Sequence, residues 1–404
     1  MPSHPAVRVT PAVRVTPAVP MTPAVVSTRG AQRWSAGHPW IYRSDVISHP
    51  ADPGIVPVTD GRGKFLGQAL CSPRSEIRLR LLDPTETTID GDWWANRFRE
   101  AAARRTGIDA TAWREIHGEG DGLPALVVDR FGDYLVAQLL SAALETRRTE
   151  ILEALTAVHQ PRGILLRHDV ATRRLEGLTE GIETVLGSVP DEIEVREGSV
   201  RWYAAPHTGQ KTGAFLDQRE NRLRAGALVP PGGTALDCFS YHGSFALHLA
   251  GRAQSVVALD ASADALERGR AHAALNGLAQ IDFVLGDAFE LLPEWGRAGR
   301  QFDVVVVDPP AFAKAKGHLP AALRGYREIN RRAMRLVAPG GALLSASCSF
   351  HLGRPDFMAM LRDAASDSGR RVRIEALLGQ PQDHPEVITI PETGYLKAAI
   401  LRVD

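Results

Sequence analysis

The sequence has few cysteines, few lysines and no long apolar run. Its 404 residues include three cysteines, Cys71, Cys238 and Cys348, which are too few and too scattered for a disulfide framework or a zinc site. Such scarcity is typical of a reducing, cytoplasmic compartment. No apolar run reaches the roughly 18 residues of a transmembrane helix, and the N-terminus lacks the apolar segment of a signal peptide. The sequence therefore predicts a cytoplasmic protein with no membrane span and no bound metal.

Charge is balanced overall. Lys+Arg and Asp+Glu both number 47, so net charge neither favours nor excludes a nucleic-acid partner. The chain has five lysines, and three of them, Lys211, Lys314 and Lys316, flank the segments that carry the motifs described below. These three are candidates for contact with RNA phosphates, and the alternative is that they are solvated loop residues.

Proline recurs every six residues near the N-terminus, where Pro5–Thr10 and Pro11–Thr16 have the same sequence and a degenerate copy follows. This spacing forbids a helix, and so few units cannot bury a core. We interpret residues 1–24 as a disordered tail, which either binds RNA weakly through Arg8 and Arg14 or is a dispensable extension.

Short strands and turns follow in residues 25–91 and predict a small β-barrel. Its last strand alternates apolar and basic residues, as a half-buried strand does, so we expect Arg78 and Arg80 to face outward and to bind RNA. Near the start of the barrel, Trp40 and Tyr42 either stack on bases or fill the core.

Residues 92–195 are predicted to form an α+β middle domain. A helix is expected at 93–105, and the glycine-rich loop Gly118–Pro124 precedes further strands and a helix. Glu119 and Asp121 in that loop alternate with glycines, so we interpret them as turn residues rather than as metal ligands.

Residues 196–404 alternate strands with helices, which predicts a doubly wound α/β sheet. Strands are expected at 234–238, 256–260, 282–285, 303–307 and 342–347, and helices near 244–251, 263–275, 288–295, 320–337 and 355–368. A final strand pair, 387–390 with 395–403, should add an antiparallel edge.

The first of these strands opens a nucleotide-binding pattern. It runs into a turn that contains Gly243, a helix follows, and the next strand ends in Asp260. The glycine lets the backbone pass close to a ligand, and the carboxylate can accept hydrogen bonds from two ribose hydroxyls. Asp287, after the third strand, should approach an adenine edge, and it could also cap the helix that follows.

Core packing alone does not explain why an apolar strand ends in Asp308, Pro309 and Pro310. The prolines fix the backbone and remove two N–H donors, so the Asp308 carboxylate is held outward at the carboxyl edge of the sheet. Cys348 ends the next strand and should face the same crevice. These features predict an S-adenosylmethionine (SAM) site with a nucleophilic thiol beside it. A dehydrogenase is a weaker alternative, since NAD also suits a strand–turn–helix with an acid downstream.

Several segments together resemble the bacterial ribosomal large-subunit RNA cytosine-5 methyltransferases that carry an N-terminal PUA domain. They are Gly37–Trp40, Gly67–Ile77, Gly118–Pro124, Arg167–Gly177, Thr212–Arg219, Asp237–Phe245, Asp308–Phe312, Ser347–Ser349 and Asp383–Pro385. The resemblance implies a Rossmann-like class I methyltransferase domain, SAM as cofactor and 5-methylcytidine in 23S rRNA as product. The cofactor-binding residues that it implies are Phe239, Ser240, Tyr241, Gly243, Asp260, Asp287 and Asp308, with Gln218 as a further candidate.

Carbon 5 of cytosine is too weak a nucleophile to take a methyl group from a sulfonium directly. A thiolate that adds to carbon 6 makes carbon 5 enamine-like, and carbon 5 then attacks the methyl group. A base removes the carbon 5 proton, and the thiol leaves. We assign this thiol to Cys348, the alternative being a small buried hydrophobe, and we assign Cys71 and Cys238 to packing. Asp308 should bind the amino edge of the cytosine, unless it only positions the methionine end of SAM.

Lys314 and Lys316 are expected on a mobile lid over the flipped base. Two other functions stay open. A methyltransferase of the same fold that acts on a base nitrogen, such as guanine N7, would not need Cys348. A non-catalytic RNA-binding or ribosome-assembly factor would keep the SAM pocket without consuming SAM. The partner is 23S rRNA or a large-subunit assembly intermediate in either case, and a homodimer also stays open.

Overall fold

The computed structural model describes residues 22–312 and 316–404. The proline repeat up to residue 21 and Lys314 lie outside these ranges, as does the side chain of Lys316, so the expectations stated for them stay predictions. Within the described ranges, no helix is long and apolar enough to cross a membrane. The same residues contain no group of three or more His, Cys, Asp or Glu side chains that could hold a metal ion.

The N-terminal part is a six-stranded, barrel-like sheet. Its elements are β1 (Ala24–Val26), α1 (Thr28–Ser35), β2 (Trp40–Tyr42), β3 (Val46–Ser48), β4 (Gly54–Asp60), β5 (Phe65–Cys71) and β6 (Ile77–Asp83). The strand order is β2-β6-β5-β4-β1-β3, and every pair is antiparallel except β1 with β4. Sequence reasoning missed the helix α1, which begins where the Ser27 hydroxyl accepts a hydrogen bond from the Gly30 N–H at 3.2 Å.

The two arginines of β6 do not form the exposed basic face that the sequence predicts. Arg78 and Arg80 are only 7% and 6% exposed. Arg80 pairs with the equally buried Glu176 at 2.9 Å, and Arg78 donates to the carbonyl oxygen of Pro73. The alternation along β6 is real, but Glu176 of the middle part covers Arg80, and His49 and Pro73 of the N-terminal part bind Arg78, so the prediction that both arginines face outward was wrong.

The middle part is a five-stranded sheet with helices packed on it. Its elements are α2 (Gly91–Ala103), β7 (Ala112–His117), β8 (Leu126–Phe131), β9 (Tyr134–Leu139), α3 (Ala142–Glu145), α4 (Arg148–His159), β10 (Gly163–Arg167), α5 (Thr172–Leu175) and β11 (Ile182–Gly187). The order is β11-β10-β9-β8-β7, and only β9 and β10 are parallel. The glycine-rich loop is a 3-10 turn in which Asp121 binds Arg104 at 2.8 Å and Arg105 at 2.5 Å.

The C-terminal part is a seven-stranded, doubly wound sheet. A hairpin of β12 (Ile193–Glu197) and β13 (Val200–Ala204) and the helix α6 (Arg219–Leu228) precede it. Its elements are β14 (Gly233–Cys238), α7 (Ser244–Ala250), β15 (Ala253–Asp260), α8 (Ala263–Leu275), β16 (Ile281–Leu285), α9 (Ala288–Arg297), β17 (Phe302–Val307), α10 (Leu319–Leu336), β18 (Val337–Ser347), α11 (Arg354–Ser368), β19 (Val372–Leu378) and β20 (Lys397–Val403). Apolar cores fill both faces of the sheet, which explains why its central strands are continuously apolar.

The strand order is β16-β15-β14-β17-β18-β20-β19, with β14 to β18 parallel and β20 antiparallel to both of its neighbours. The doubly wound sheet is therefore confirmed, but its antiparallel end differs from the prediction. The expected partner strand at 387–390 is only a turn with one isolated bridge between Val387 and Ile390. The edge is β19 instead, because its seven residues can pair along the whole of β20, whereas the 387–390 segment is too short.

Candidate active site at the carboxyl edge of the C-terminal sheet

The carboxyl ends of β14, β15, β17 and β18 meet at one edge of the sheet, because the four strands are parallel neighbours. Phe239, Asp260, Asp308 and Cys348 each end or directly follow one of these strands. The strand order reverses between β14 and β17, and doubly wound sheets bind ligands in the crevice at such a point. The tertiary structure thus brings the predicted site residues of four separate segments to one crevice.

The loop after β14 is held in an unusual backbone conformation. Phe239 and Tyr241 have φ angles of +64° and +49°, and Gly243 has a φ of +73°. A positive φ costs a residue with a side chain about 1–3 kcal/mol, so neighbouring groups must hold it in place. The Tyr241 N–H donates to Asp260 at 2.8 Å, and the Gly243 N–H donates to the Ser240 carbonyl at 2.8 Å. These bonds turn the loop tightly over the crevice, as a ligand-binding turn requires.

Three buried oxygens at this crevice have no hydrogen-bond partner within the described part of the chain. They are Asp217 Oδ1, Asp237 Oδ1 and the Ser240 hydroxyl. Buried polar atoms are almost always hydrogen-bonded, so such a group of atoms fits a ligand that carries amino and hydroxyl groups, as SAM does. Burial, and then the charges of two neighbouring carboxylates, raises the pKa of Asp237 well above its usual range. Burial thus favours the protonated form of Asp237, which can donate as well as accept a hydrogen bond.

Asp260 and Asp287 have different surroundings. The Asp260 carboxylate accepts from the Tyr241 N–H at 2.8 Å and from the Ser262 N–H at 2.9 Å, which orients both oxygens. Each oxygen keeps a lone pair for a ribose hydroxyl. Asp287 caps helix α9, where its carboxylate accepts from the Phe289 N–H at 2.7 Å. The capping alternative is therefore confirmed for Asp287, and its contact with adenine stays a prediction.

Replacing Asp260 by alanine should weaken SAM binding by roughly 10- to 100-fold, because hydrogen bonds to an ionised group are worth about 1.5–3 kcal/mol. Isothermal titration calorimetry with SAM measures this change. Asp282→Ala is the matched control, since Asp282 is an exposed carboxylate on the neighbouring strand β16. An unchanged affinity in Asp260→Ala would show that this carboxylate does not hold the ribose.

Asp308 lies half-buried directly after β17, and Gln218 hydrogen-bonds its carboxyl group. The Asn221 amide donates to the Gln218 carbonyl oxygen at 2.6 Å, so the Gln218 NH₂ group is left to face Asp308. Burial, reinforced by the negative charge of Asp217, raises the pKa of Asp308 to about 7. Near neutral pH, Asp308 is therefore present in both forms and can donate or accept a hydrogen bond.

Lys211, a predicted RNA contact, is already paired on the wall of the crevice. Its ammonium lies 2.5 Å from Asp217 and 4.7 Å from the centroid of the Phe215 ring. The Tyr395 hydroxyl donates to the same Asp217 carboxylate at 2.8 Å. An RNA contact of Lys211 stays a prediction. Asp217 and Tyr395 belong to the site although sequence reasoning did not single them out.

The three cysteines differ in exposure. Cys71 and Cys238 are fully buried, which confirms their assignment to packing, whereas Cys348 is partly exposed. Burial, and then the negative charge of Asp308, raises the pKa of the Cys348 thiol to about 11, although Lys211 acts in the opposite direction. The thiol is therefore mostly protonated near neutral pH and needs a nearby group that favours the thiolate.

Two family models match the chain. Residues 114–402 match the S-adenosylmethionine-dependent methyltransferases, and residues 25–84 match a PUA-like domain. Solved structures show the same fold: a candidate SAM-dependent methyltransferase from Streptococcus mutans covers 95% of this chain and 100% of its own, with a TM-score of 0.80 at 20% identity. A candidate methyltransferase complexed with SAH has a TM-score of 0.82 at 20% identity and the same coverage. The fold and the crevice thus define a SAM-dependent methyltransferase with an N-terminal PUA-like domain.

Closer relatives narrow this class. The ribosomal RNA large subunit methyltransferase I of Aeromonas hydrophila is 40% identical over 378 residues, which are 90% of this chain and 95% of that protein. The enzyme of the same name from Salmonella arizonae is 38% identical over 381 residues, with 91% and 94% coverage. The chain belongs to the family of ribosomal RNA large subunit methyltransferase I.

Proposed function

We propose that the protein methylates carbon 5 of a cytosine in large-subunit (23S) ribosomal RNA, with Cys348 as the nucleophile. The observation that carries this proposal is a partly exposed thiol directly after β18, beside the carboxyl group that follows β17. A methyltransferase for a base nitrogen would need no thiol there. The relatives named for large-subunit rRNA support the substrate class.

The reaction needs a thiolate because carbon 5 of cytosine does not attack a methyl group unaided. Bound SAM supplies the electrophilic methyl group. The Cys348 thiolate forms a bond to carbon 6, and the electron pair of the 5,6 double bond becomes available at carbon 5. Carbon 5 then bonds to the methyl carbon as the bond from that carbon to the sulfonium sulfur breaks with both electrons on sulfur. A base takes the proton from carbon 5, the double bond forms again, and the bond between sulfur and carbon 6 breaks with both electrons on sulfur. The thiolate is thereby restored.

Asp308 assists the addition by stabilising the negative charge that develops on the cytosine ring. Negative charge develops at N3 when sulfur adds to carbon 6, and a protonated carboxyl group can donate to N3 while its other oxygen accepts from the 4-amino group. The pKa of about 7 caused by burial and by Asp217 makes this protonated form available near neutral pH. Gln218 holds the carboxyl group in position. Asp308 therefore acts on the base in this proposal rather than on SAM alone.

The test is to identify the methylated nucleoside. Purified protein is incubated with tritiated SAM and protein-free 23S rRNA, and in parallel with assembly intermediates and whole large subunits, and the RNA is then digested and separated. Label in 5-methylcytidine is expected. Label in 7-methylguanosine would favour nitrogen methylation, and SAM that stays unconsumed with all three substrates would favour a binding or assembly factor.

The PUA-like sheet carries an open groove of about 560 Å³ that suits the RNA backbone. It is lined by Arg43, Val46, Ile47, His49, Pro73, Arg74 and Arg78. Arg74 is exposed, and its guanidinium has no carboxylate partner among the described residues. We assign RNA contact to this groove and not to Arg80, whose charge is neutralised by Glu176.

The domain limits also stay a proposal. We propose that the PUA-like domain spans residues 25–91, the middle domain residues 92–195 and the methyltransferase domain residues 196–404.

Replacing Arg74 by alanine should reduce the salt dependence of RNA binding. Each phosphate contact that is lost lowers the slope of log affinity against log salt concentration by about 1. Fluorescence anisotropy with a labelled 23S fragment over a salt series measures the slope. Arg62→Ala is the control, because Arg62 is exposed in the turn between β4 and β5, outside the groove. Equal slopes for Arg74→Ala and the wild type would rule the groove out as an RNA contact.

A further inference from the structure

Lys397 is a buried lysine next to the proposed nucleophile. It opens β20, whose register places Lys397 opposite Ser347, the residue before Cys348. The Lys397 side chain is only 4% exposed, and its amine donates to the carbonyl oxygens of Ser349 and Tyr395, both at 2.7 Å. An ammonium group has three N–H donors, so these two carbonyls leave one donor for another acceptor.

No carboxylate oxygen in the described part of the chain lies within 4.0 Å of the Lys397 amine. The charged groups that act on it besides Cys348 are Arg354 and Glu386. These two pair with each other at 2.8 Å and are half-exposed, so they largely cancel. A buried ammonium without a counter-ion is costly, and burial accordingly lowers the pKa of Lys397 to about 8, while Cys348 acts to raise it.

Besides Lys397, the charged groups that act on the Cys348 thiol are Asp308, Asp217 and Lys211. The charges of Asp308 and Asp217 oppose ionisation of the thiol. Lys211 favours it, but Lys211 is bound to Asp217 at 2.5 Å. Of the two lysines that lie near the thiol in the described part of the chain, Lys397 is thus the one that no carboxylate there neutralises.

We propose that Lys397 is a positioning residue whose ammonium group is the counter-ion of the Cys348 thiolate. The S–H bond of Cys348 breaks with both electrons on sulfur, and the proton passes to water, which reaches the partly exposed thiol, because Lys397 already carries its own proton. Elimination from carbon 6 restores the thiolate, so Lys397 stays an ammonium group throughout the cycle. The inference rests on the proposed function, because it deepens the role of the same thiol.

The test measures the thiol itself. Full-length protein, without RNA or SAM, is treated with iodoacetamide near neutral pH, and modification of Cys348 is followed by peptide mass spectrometry; Cys71 and Cys238 are fully buried. Lys397→Gln should slow alkylation of Cys348 at least about tenfold, since a nearby opposite charge shifts a pKa by about 1–3 units. Lys397→Arg keeps the charge and should stay close to the wild-type rate. Equal rates in wild type and Lys397→Gln would overturn the proposal.

A reciprocal measurement does not depend on whether the lysine variants fold. The chain has five lysines, so lysine labelled with ¹³C at Cε gives few resonances to follow by NMR. Removing the thiol in Cys348→Ala should lower the pH at which Lys397 titrates by about one unit or more, and an unchanged titration would refute the pairing. If Cys348→Ala keeps its methylation activity, the proposed function fails instead, whatever the alkylation and NMR results are.

Discussion

Replacing Cys348 by alanine should lower the rate of rRNA methylation by roughly 10³-fold or more, because removal of a covalent nucleophile leaves only binding and orientation. SAM affinity should stay unchanged, since the cofactor residues lie on the ends of other strands. Single-turnover kinetics with tritiated SAM and 23S rRNA separate the chemical step from binding. Cys71→Ala is the control, because Cys71 is a fully buried cysteine of the N-terminal sheet, away from the crevice.

The covalent step can be trapped directly. In RNA that contains 5-fluorocytidine, fluorine replaces the proton that the base must remove from carbon 5. Elimination then stops, and the RNA should stay bonded to the sulfur of Cys348 after methyl transfer. Denaturing gels should show this adduct for the wild type and for Cys71→Ala but not for Cys348→Ala. Full activity of Cys348→Ala, or an adduct formed without that thiol, would contradict the nucleophile assignment.

Replacing Asp383 by alanine should destabilise the protein by about 3–5 kcal/mol, the usual cost of leaving a buried charge unpaired. Asp383 is fully buried and accepts both ends of the Arg219 guanidinium, at 2.8 and 2.9 Å. It also accepts from the Arg114 backbone N–H at 2.8 Å, and its own carbonyl accepts from Arg105 at 2.9 Å. The substitution therefore breaks a network that joins the middle sheet to α6 and to the segment before Tyr395.

Urea unfolding followed by circular dichroism measures this loss, and Asp363→Ala provides a control. Asp363 is a half-exposed aspartate whose one ion pair among the described residues is with the adjacent Arg362, so its removal should change stability by no more than about 0.5 kcal/mol. A midpoint for Asp383→Ala equal to that of the control would show that the network contributes nothing to stability.

The same network predicts a pH dependence of stability. Burial alone would raise the pKa of Asp383, but contacts with His384 and Arg219 hold it well below its usual range. A carboxyl group whose pKa is lower in the folded than in the unfolded state stabilises the fold above its unfolded pKa, which is about 3.9. This contribution is lost as the pH falls through the folded pKa. The stability difference between wild type and Asp383→Ala should therefore be full at pH 7 and shrink progressively below about pH 4.

Much of the site could be predicted because it lies at strand ends. Asp260, Asp308 and Cys348 each follow or end an apolar strand, and all parallel strands of one sheet point their carboxyl ends to the same edge. Knowing the alternation of strands and helices was therefore enough to place these residues together. Asp217 and Tyr395 were missed because neither lies at the end of a predicted strand of the parallel sheet.

Lysine is scarce in this sequence, which draws attention to Lys397, but the sequence alone does not show that Lys397 lies near Cys348. Its position near the C-terminus says nothing about Cys348 until β20 pairs with β18. The pairing of β20 with β19 was also beyond prediction, since the nearer segment 387–390 has a similar apolar composition. Which strand pairs with an antiparallel strand depends on how the intervening chain folds, and a local sequence pattern does not predict this.

The sequence by itself determined the doubly wound sheet, the loop after β14 and the residues that follow its central strands. Periodicity and strand ends are local properties, and they decide which residues reach the carboxyl edge. Only the tertiary structure determined which charged side chains are buried and which are paired with an opposite charge. Arg80 has the pattern of a surface residue but pairs with Glu176 in the middle part of the chain, and Lys397 becomes a buried neighbour of Cys348. The reason is that the burial and pairing of a charge depend on the segment that packs over it.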